Sequence, residues 1–108
     1  MECFICDTCG RDVNIYEGVL SWRRDAGELS NFRLTHRDGV QGSCEVRSNN
    51  ERQDLYKVAS FSGYLAFVQD LLSWWTKGFI VRDFERLKEI MKNLSVYINE
   101  KLTALVGE

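Results

Sequence analysis

Proline is absent from this sequence of 108 residues, histidine occurs once, and no hydrophobic run is long. The longest uninterrupted apolar run extends from Tyr64 to Val68, far short of the length that spans a bilayer. The first residues lack the basic stretch followed by an apolar stretch that is typical of a secretory signal peptide. We therefore predict a soluble, cytoplasmic protein without a membrane partner.

An excess of positive charge is also missing. Residues 1–53 contain seven Lys or Arg and nine Asp or Glu, and residues 54–108 contain seven of each kind. Nucleic-acid-binding proteins usually carry a basic excess, so the composition does not favour a nucleic-acid partner. Hydrophobic residues make up 44% of the chain, which excludes an intrinsically disordered protein.

The first half of the sequence contains two candidate strands. Val19 to Arg24 and Leu29 to His36 alternate between apolar and polar residues, as strands with one buried face do. Gly27 lies between them and suits a tight turn, so we predict an antiparallel β-hairpin. The polar segment 45–54 is predicted to be a linker or an exposed loop.

The second half has the periodicity of two helices. Between Tyr64 and Trp75, apolar residues recur at three- and four-residue steps. Ser62 is a candidate N-cap for this helix, and Gly78 suits the position just past its end. A second helix is predicted from a cap at Asp83 to Leu105, because apolar residues recur at the same spacing throughout that segment.

Cysteine spacing favours a metal site. A chain without a secretory signal seldom uses disulfides, so metal binding is the preferred interpretation of the four cysteines. In the run Cys6-Asp-Thr-Cys9-Gly, two intervening residues allow both thiolates to bind one ion, and the glycine lets the backbone turn. A structural zinc ion needs four ligands, and Cys3, His36 and Cys44 are the remaining candidates.

This pattern resembles the zinc-ribbon and zinc-knuckle class, broadly the small uncharacterised proteins of Gram-positive bacteria and their phages. These proteins open with Cys-x-x-Cys-Gly, pass through a β-hairpin, and then present a histidine followed by a cysteine. The matching stretch runs from Cys6 to Cys44, about a third of the chain. The resemblance implies a Zn²⁺ site formed by Cys6, Cys9, His36 and Cys44, and it implies no activity.

The predicted fold class is α+β. Residues 1–53 are expected to form a zinc-ribbon module with an antiparallel β-hairpin. Residues 54–108 are expected to form a C-terminal helical hairpin. The two modules could also make one compact unit.

Three other interpretations of the cysteines stay open. Cys3 could replace His36 in an all-cysteine zinc site. The run Cys3, Cys6 and Cys9, with Cys44 as fourth ligand, resembles an iron–sulfur pattern, although the chain lacks the Cys-Pro continuation of bacterial ferredoxins. The four thiols could also be free, with His36 packed in the core.

Catalysis is not predicted. The sixteen Asp and Glu residues form no evident pair for general acid and base chemistry, and no glycine-rich phosphate loop occurs. A cysteine nucleophile needs a histidine base, and the single histidine is a candidate ligand. We therefore expect a non-enzymatic, zinc-stabilised binding or regulatory module.

Two alternative functions come from other residues. Arginines interleaved with Trp22 and Phe32 in the hairpin could bind single-stranded nucleic acid through charge and stacking. The candidate contacts are Arg23, Arg24, Arg33 and Arg37. A thiol redox sensor built on Cys3 and its neighbours is the other alternative.

The helical half is expected to bind a protein partner or a second copy of the chain. Its second helix carries an apolar stripe of about six turns, and the first helix, of about four turns, can cover only part of it. Uncovered apolar surface of this length usually marks an interface, and a symmetric homodimer is the simplest arrangement. The alternative is that the ribbon half folds back over the rest of the stripe and the chain stays monomeric. The predicted interface residues are Trp75, Met91, Leu94 and Ile98.

Overall fold

A computed structural model describes residues 4–105 of the chain. Within that range the fold is mixed α+β, as predicted, with six strands and three helices. In chain order the elements are β1 (Phe4–Ile5), β2 (Asp12–Val13), β3 (Gly18–Asp25), β4 (Glu28–His36), β5 (Glu51–Asp54), α1 (Leu55–Val58), α2 (Phe61–Thr76), β6 (Ile80–Val81) and α3 (Phe84–Leu105).

The predicted β-hairpin is confirmed. β3 and β4 pair antiparallel, and Gly18 lies opposite His36 at the open end. Gly27 turns the chain at the closed end with φ of 78°, a conformation that costs little only for glycine. The hairpin forms the centre of a four-stranded sheet with the order β5-β3-β4-β6, and β1 and β2 form a separate antiparallel pair.

Both outer strands of the larger sheet were missed in the sequence. Segment 45–54 was expected to be a loop, but its last four residues form β5, which pairs antiparallel with β3. β6 pairs parallel with β4 at the opposite edge. Edge strands are held by backbone hydrogen bonds and keep one side in solvent, so a polar four-residue strand carries no hydrophobic alternation to detect.

The two long helices occur close to their predicted bounds. α2 begins two residues earlier than expected, because Ser60 rather than Ser62 accepts the N–H of Gly63 and caps the helix. Gly78 follows its end with φ of 89°. The first turn of α2 faces the last turns of α3, and its last turns face the start of α3, so the helices form an antiparallel pair.

One hydrophobic core joins the sheet and the helices. The indole of Trp22 on β3 packs on Phe32 of β4 and on Phe67 and Trp74 of α2, with ring centroids 5.6 to 6.0 Å apart. From the other helix, Leu94 is fully buried in the same cluster. The division of the chain into two modules at residue 53 stays a prediction. Residues from both predicted modules pack together in this core. Among residues 4–105, no helix has both the length and the hydrophobicity to cross a bilayer.

Candidate metal centre

Three segments of the chain bring four ligand residues together. Cys6 and Cys9 lie in the knuckle turn, residues 6–11, which connects β1 to β2. His36 is the last residue of β4, and Cys44 lies in the loop between β4 and β5. One donor atom from each of these four side chains lies within 4.8 Å of the other three.

Backbone geometry shapes the knuckle turn around one sulfur atom. The N–H groups of Thr8 and Cys9 point at the Sγ atom of Cys6, at 3.3 and 3.4 Å. Gly10, with φ of 78°, donates its N–H to the carbonyl of Cys6 and completes the turn. Two backbone donors on one sulfur stabilise the thiolate, which is the form that binds metal.

A backbone carbonyl orients the imidazole of His36. The Nε2 atom lies 2.9 Å from the carbonyl oxygen of Asp12 in β2. Because a carbonyl only accepts hydrogen bonds, Nε2 carries the proton and the lone pair of Nδ1 is free to bind a cation. Metal-bound histidines commonly hold their second ring nitrogen in this way.

The loop that carries Cys44 is closed by local hydrogen bonds. The side chains of Asp38 and Glu45 each accept the backbone N–H of the other residue, at 3.1 and 3.0 Å. The hydroxyl of Thr8 donates to the carbonyl of Cys44 at 2.6 Å and attaches this loop to the knuckle turn. Gly39 and Gly42 have positive φ angles, which the reversal of the chain requires.

Two distances from the imidazole of His36 fit tetrahedral coordination of a metal ion. At ordinary zinc–ligand bond lengths, a tetrahedral site separates sulfur from nitrogen by about 3.5 Å and two sulfurs by about 3.8 Å. The Nδ1 atom of His36 lies 3.5 Å from the Sγ atom of Cys9 and 3.9 Å from that of Cys44. Three sulfurs and one imidazole at this spacing are a donor set suited to Zn²⁺.

The thiols in the cluster differ in acidity. Burial raises the pKa of the Cys6 thiol, but hydrogen bonds from the backbone of Cys9, His36 and Thr8 outweigh burial and hold that pKa at about 6. Burial also raises the pKa of Cys44, and the neighbouring Cys6 and Cys9 thiols raise it further, to about 12. Because one thiolate disfavours the next, a bound cation is what would allow Cys6 and Cys44 to ionise together.

Burial closes the cluster on one side. Cys6, His36 and Cys44 are only 1 to 3% exposed, whereas Cys9 is exposed. An ion held by these four side chains would contact solvent only beside Cys9. Four protein ligands and a closed surrounding are typical of structural rather than catalytic zinc.

Asp7 supports the knuckle turn and was missed in the sequence. Its carboxylate accepts the backbone N–H of Leu34 in β4 at 2.8 Å and binds Arg86 of α3 through both oxygens, at 2.8 and 2.9 Å. Asp7 therefore ties the knuckle turn to the sheet and to a helix. A separation of 79 residues between Asp7 and Arg86 left no local pattern that could have indicated this pair.

The predicted nucleic-acid contacts do not form a basic surface. Three of these arginines are in ion pairs, namely Arg23 with Asp25, Arg24 with Glu51 and Arg33 with Asp83. Arg37 donates to the carbonyl of Tyr16. Trp22 and Phe32 are buried against each other, so neither ring presents a face on which a base could stack.

The predicted interface residues divide between core and surface. Leu94 and Ile98 are buried, Met91 is partly buried, and Trp75 is 69% exposed. Part of the apolar stripe of α3 was expected to remain uncovered, but the chain's own core includes Leu94, and Phe4 of β1 packs on Tyr97 of the same helix. Leu94 and Ile98 therefore lie inside the chain and are not positioned to contact a partner.

Cys3, the alternative ligand, lies outside the described residues 4–105. Comparisons with protein-family models, with curated proteins and with solved structures found no match.

Proposed function

We propose that this chain is a non-enzymatic binding module stabilised by one Zn²⁺ ion, with Cys6, Cys9, His36 and Cys44 as the ligands. The convergence of these four donors from three segments carries the proposal. In this role the ion holds the knuckle turn, the end of β4 and the following loop together, and the outer surface of the fold contacts the partner.

The donor set argues for a structural ion. Four protein ligands complete a tetrahedral shell and leave no position for a substrate or a reactive water. The single histidine of the sequence belongs to the cluster, so no second imidazole remains to act as a general base. The ion would bind and orient the chain, and no reaction step is assigned to it.

Metal analysis of purified variants tests the proposal. We expect one zinc per chain in the unaltered protein and less than about a tenth of that in Cys9→Ser and His36→Ala, because a three-ligand site binds structural zinc far more weakly. Cys3→Ser is the matched control and is expected to keep full zinc. Full zinc in His36→Ala with loss in Cys3→Ser would move the fourth ligand to Cys3 and contradict the assignment.

A redox sensor is the second candidate function, and the exposure of Cys9 favours it. Peroxide can reach this sulfur first, and the thiols of Cys6 and Cys44 lie close enough to react next. Two thiolates and one hydrogen peroxide would give one disulfide and two hydroxide ions, and the zinc ion would leave. Stoichiometric release of zinc at about one equivalent of peroxide, reversed by a thiol reductant, would support this function, and retention of zinc would rule it out.

A further inference from the structure

An apolar groove lies between α2, β6 and α3, and none of the four candidate metal ligands lines it. It is bounded by the last turns of α2, by β6 and by the first turn of α3, with a volume of about 570 Å³. Every lining residue is apolar: Leu71, Leu72, Trp75, Phe79, Ile80, Val81, Phe84 and Leu87. Four of these side chains, those of Leu72, Trp75, Ile80 and Phe84, are 52 to 69% exposed.

We propose that this groove binds a second copy of the chain, so that the protein is a symmetric homodimer. The four exposed side chains present about 450 Å² of apolar surface, taking about 200 Å² for a fully exposed large side chain. Two copies would thus bury about 900 Å² through these residues alone, and the groove walls add to it. A specific interface needs about 1,000 Å² in total, so these four side chains would supply most of that area and the partly exposed groove walls would supply the rest when the patch pairs with itself.

Size permits self-pairing. The indole of Trp75 lines the groove and is 69% exposed, and the groove volume of about 570 Å³ exceeds that of an indole. A two-fold axis exchanges identical surfaces, so in a symmetric dimer each Trp75 would face the groove of the other copy.

The same surface includes an unpaired edge of the four-stranded sheet. β6 is the outer strand, and the N–H groups of Ile80 and Arg82 bond to the carbonyls of Gly27 and Leu29. The backbone groups of Val81, between them, therefore face away from β4. An edge strand beside an apolar groove is a surface that proteins usually cover, and a second copy would cover both features at once.

Every residue that lines the groove is uncharged, so the lining itself causes no like-charge repulsion of a second copy. Charged residues next to the lining residues in sequence form three ion pairs: Arg82 with Glu28, Arg33 with Asp83, and Lys88 with Glu85. An apolar lining matches the same apolar surface of a second copy better than it matches a strongly charged partner.

Sedimentation equilibrium from about 1 to 200 µM tests the proposal, because an interface of this size predicts association in the micromolar range. The mass of the unaltered chain is expected to rise from 12.6 kDa to twice that value with concentration. Trp75→Lys is expected to remain monomeric throughout. Lysine suits the last turn of a helix, so this change should leave α2 intact, and Leu72→Lys provides a second variant of the same surface.

Phe61→Glu is the matched control. Phe61 is 57% exposed on the same helix, about 21 Å from Trp75, and glutamate suits the first helical turn. This variant is expected to dimerise like the unaltered chain. A monomeric unaltered chain, dimerisation of both lysine variants, or loss of the dimer in Phe61→Glu would each overturn the proposal.

This inference goes beyond the metal centre and does not rest on it, since no groove residue belongs to the ligand cluster. The zinc content and circular dichroism of every sample are measured together with its mass. Normal zinc with a monomeric chain overturns the dimer alone, whereas a dimer without zinc contradicts the proposed function alone.

Discussion

The sheet and the helices of this molecule use burial in opposite ways. All buried polar or charged residues in the described part of the chain, Ser21, Thr35 and His36, belong to β3 and β4. Nine of the eleven large hydrophobic side chains that are exposed there come at or after residue 55. The two central strands therefore bury polar side chains, whereas the exposed large hydrophobic side chains lie mostly on the helices, with Ile80 of β6 as an exception among the nine.

This difference separates the two tasks that we assign to the molecule. A buried imidazole needs specific partners, and the ligand cluster together with the carbonyl of Asp12 supplies them. Because a large exposed apolar patch often marks an interaction site, we propose the apolar surface of the helices as the contact surface. If the two parts are independent, a change in the sheet or its metal cluster will leave the helices folded, and a change in the helices will leave zinc binding unaltered.

Removal of the metal is expected to have the largest effect. Structural zinc contributes on the order of 10 kcal/mol to small domains, which exceeds the total stability of many of them. We expect chelation, or Cys6→Ser, to abolish the dispersed amide signals of β3 and β4 in NMR spectra while much helical circular dichroism remains. Loss of all helical signal at the same chelator concentration would show a single cooperative unit instead.

Truncation of the shared core is the next test. Leu94 of α3 is fully buried, and Leu94→Ala is expected to lower the free energy of unfolding by about 2–5 kcal/mol. If the sheet and the helices are coupled, this variant will also lose zinc at a lower chelator concentration than the unaltered chain. Leu102→Ala, at a 42% exposed position of the same helix, is the control and should change both measurements little.

The parts of the molecule that the sequence predicted depend on short-range order. The knuckle turn has its cysteines three residues apart, and apolar and polar residues alternate over parts of the two strands that bring His36 back to it, such as Leu20 to Arg23 and Phe32 to His36. Both signals lie within one element or one turn of the chain. For that reason the hairpin and the two long helices were predictable from the residues, whereas the full ligand set followed from the zinc-ribbon resemblance, with Cys3 left open as an alternative to His36.

The missed features depend on contacts that no local pattern records. β6 is two residues long and exists because Ile80 and Arg82 meet the backbone of β4, about fifty residues earlier in the chain. The position of Leu94 in the core, rather than on an open stripe, depends on how the chain folds back over α3. A periodic stripe shows which helix face is apolar and cannot show what covers it.

A glycine in α2 offers a smaller test within the helical part. Alanine in place of an interior glycine usually stabilises a helix by about 0.5–1 kcal/mol. At Gly63, however, a Cβ atom would lie 1.7 Å from the carbonyl oxygen of Lys57. We therefore expect Gly63→Ala to lower the unfolding free energy by about 1–3 kcal/mol in thermal or urea denaturation. Ser62→Ala, one residue away at an exposed position, is the control, and a stabilised Gly63→Ala would contradict the close packing of α1 on α2.

The smallest expected effect is at the ion pair that joins the two parts. Asp7→Asn removes the charge that binds Arg86 and keeps an oxygen that can accept the N–H of Leu34, so it isolates the ion pair. Both partners are about one quarter exposed, and for such a pair we expect a loss of about 1 kcal/mol that shrinks as salt is added. Glu89→Gln removes the other acidic partner of Arg86. Because Glu89 is 69% exposed, this change is expected to leave the free energy of unfolding almost unaltered.

Because Asp7 lies inside the knuckle turn, Asp7→Asn should also weaken zinc binding slightly, whereas Glu89→Gln should not. Equal zinc affinity in the two variants would mean that α3 stabilises the sheet without supporting the metal centre.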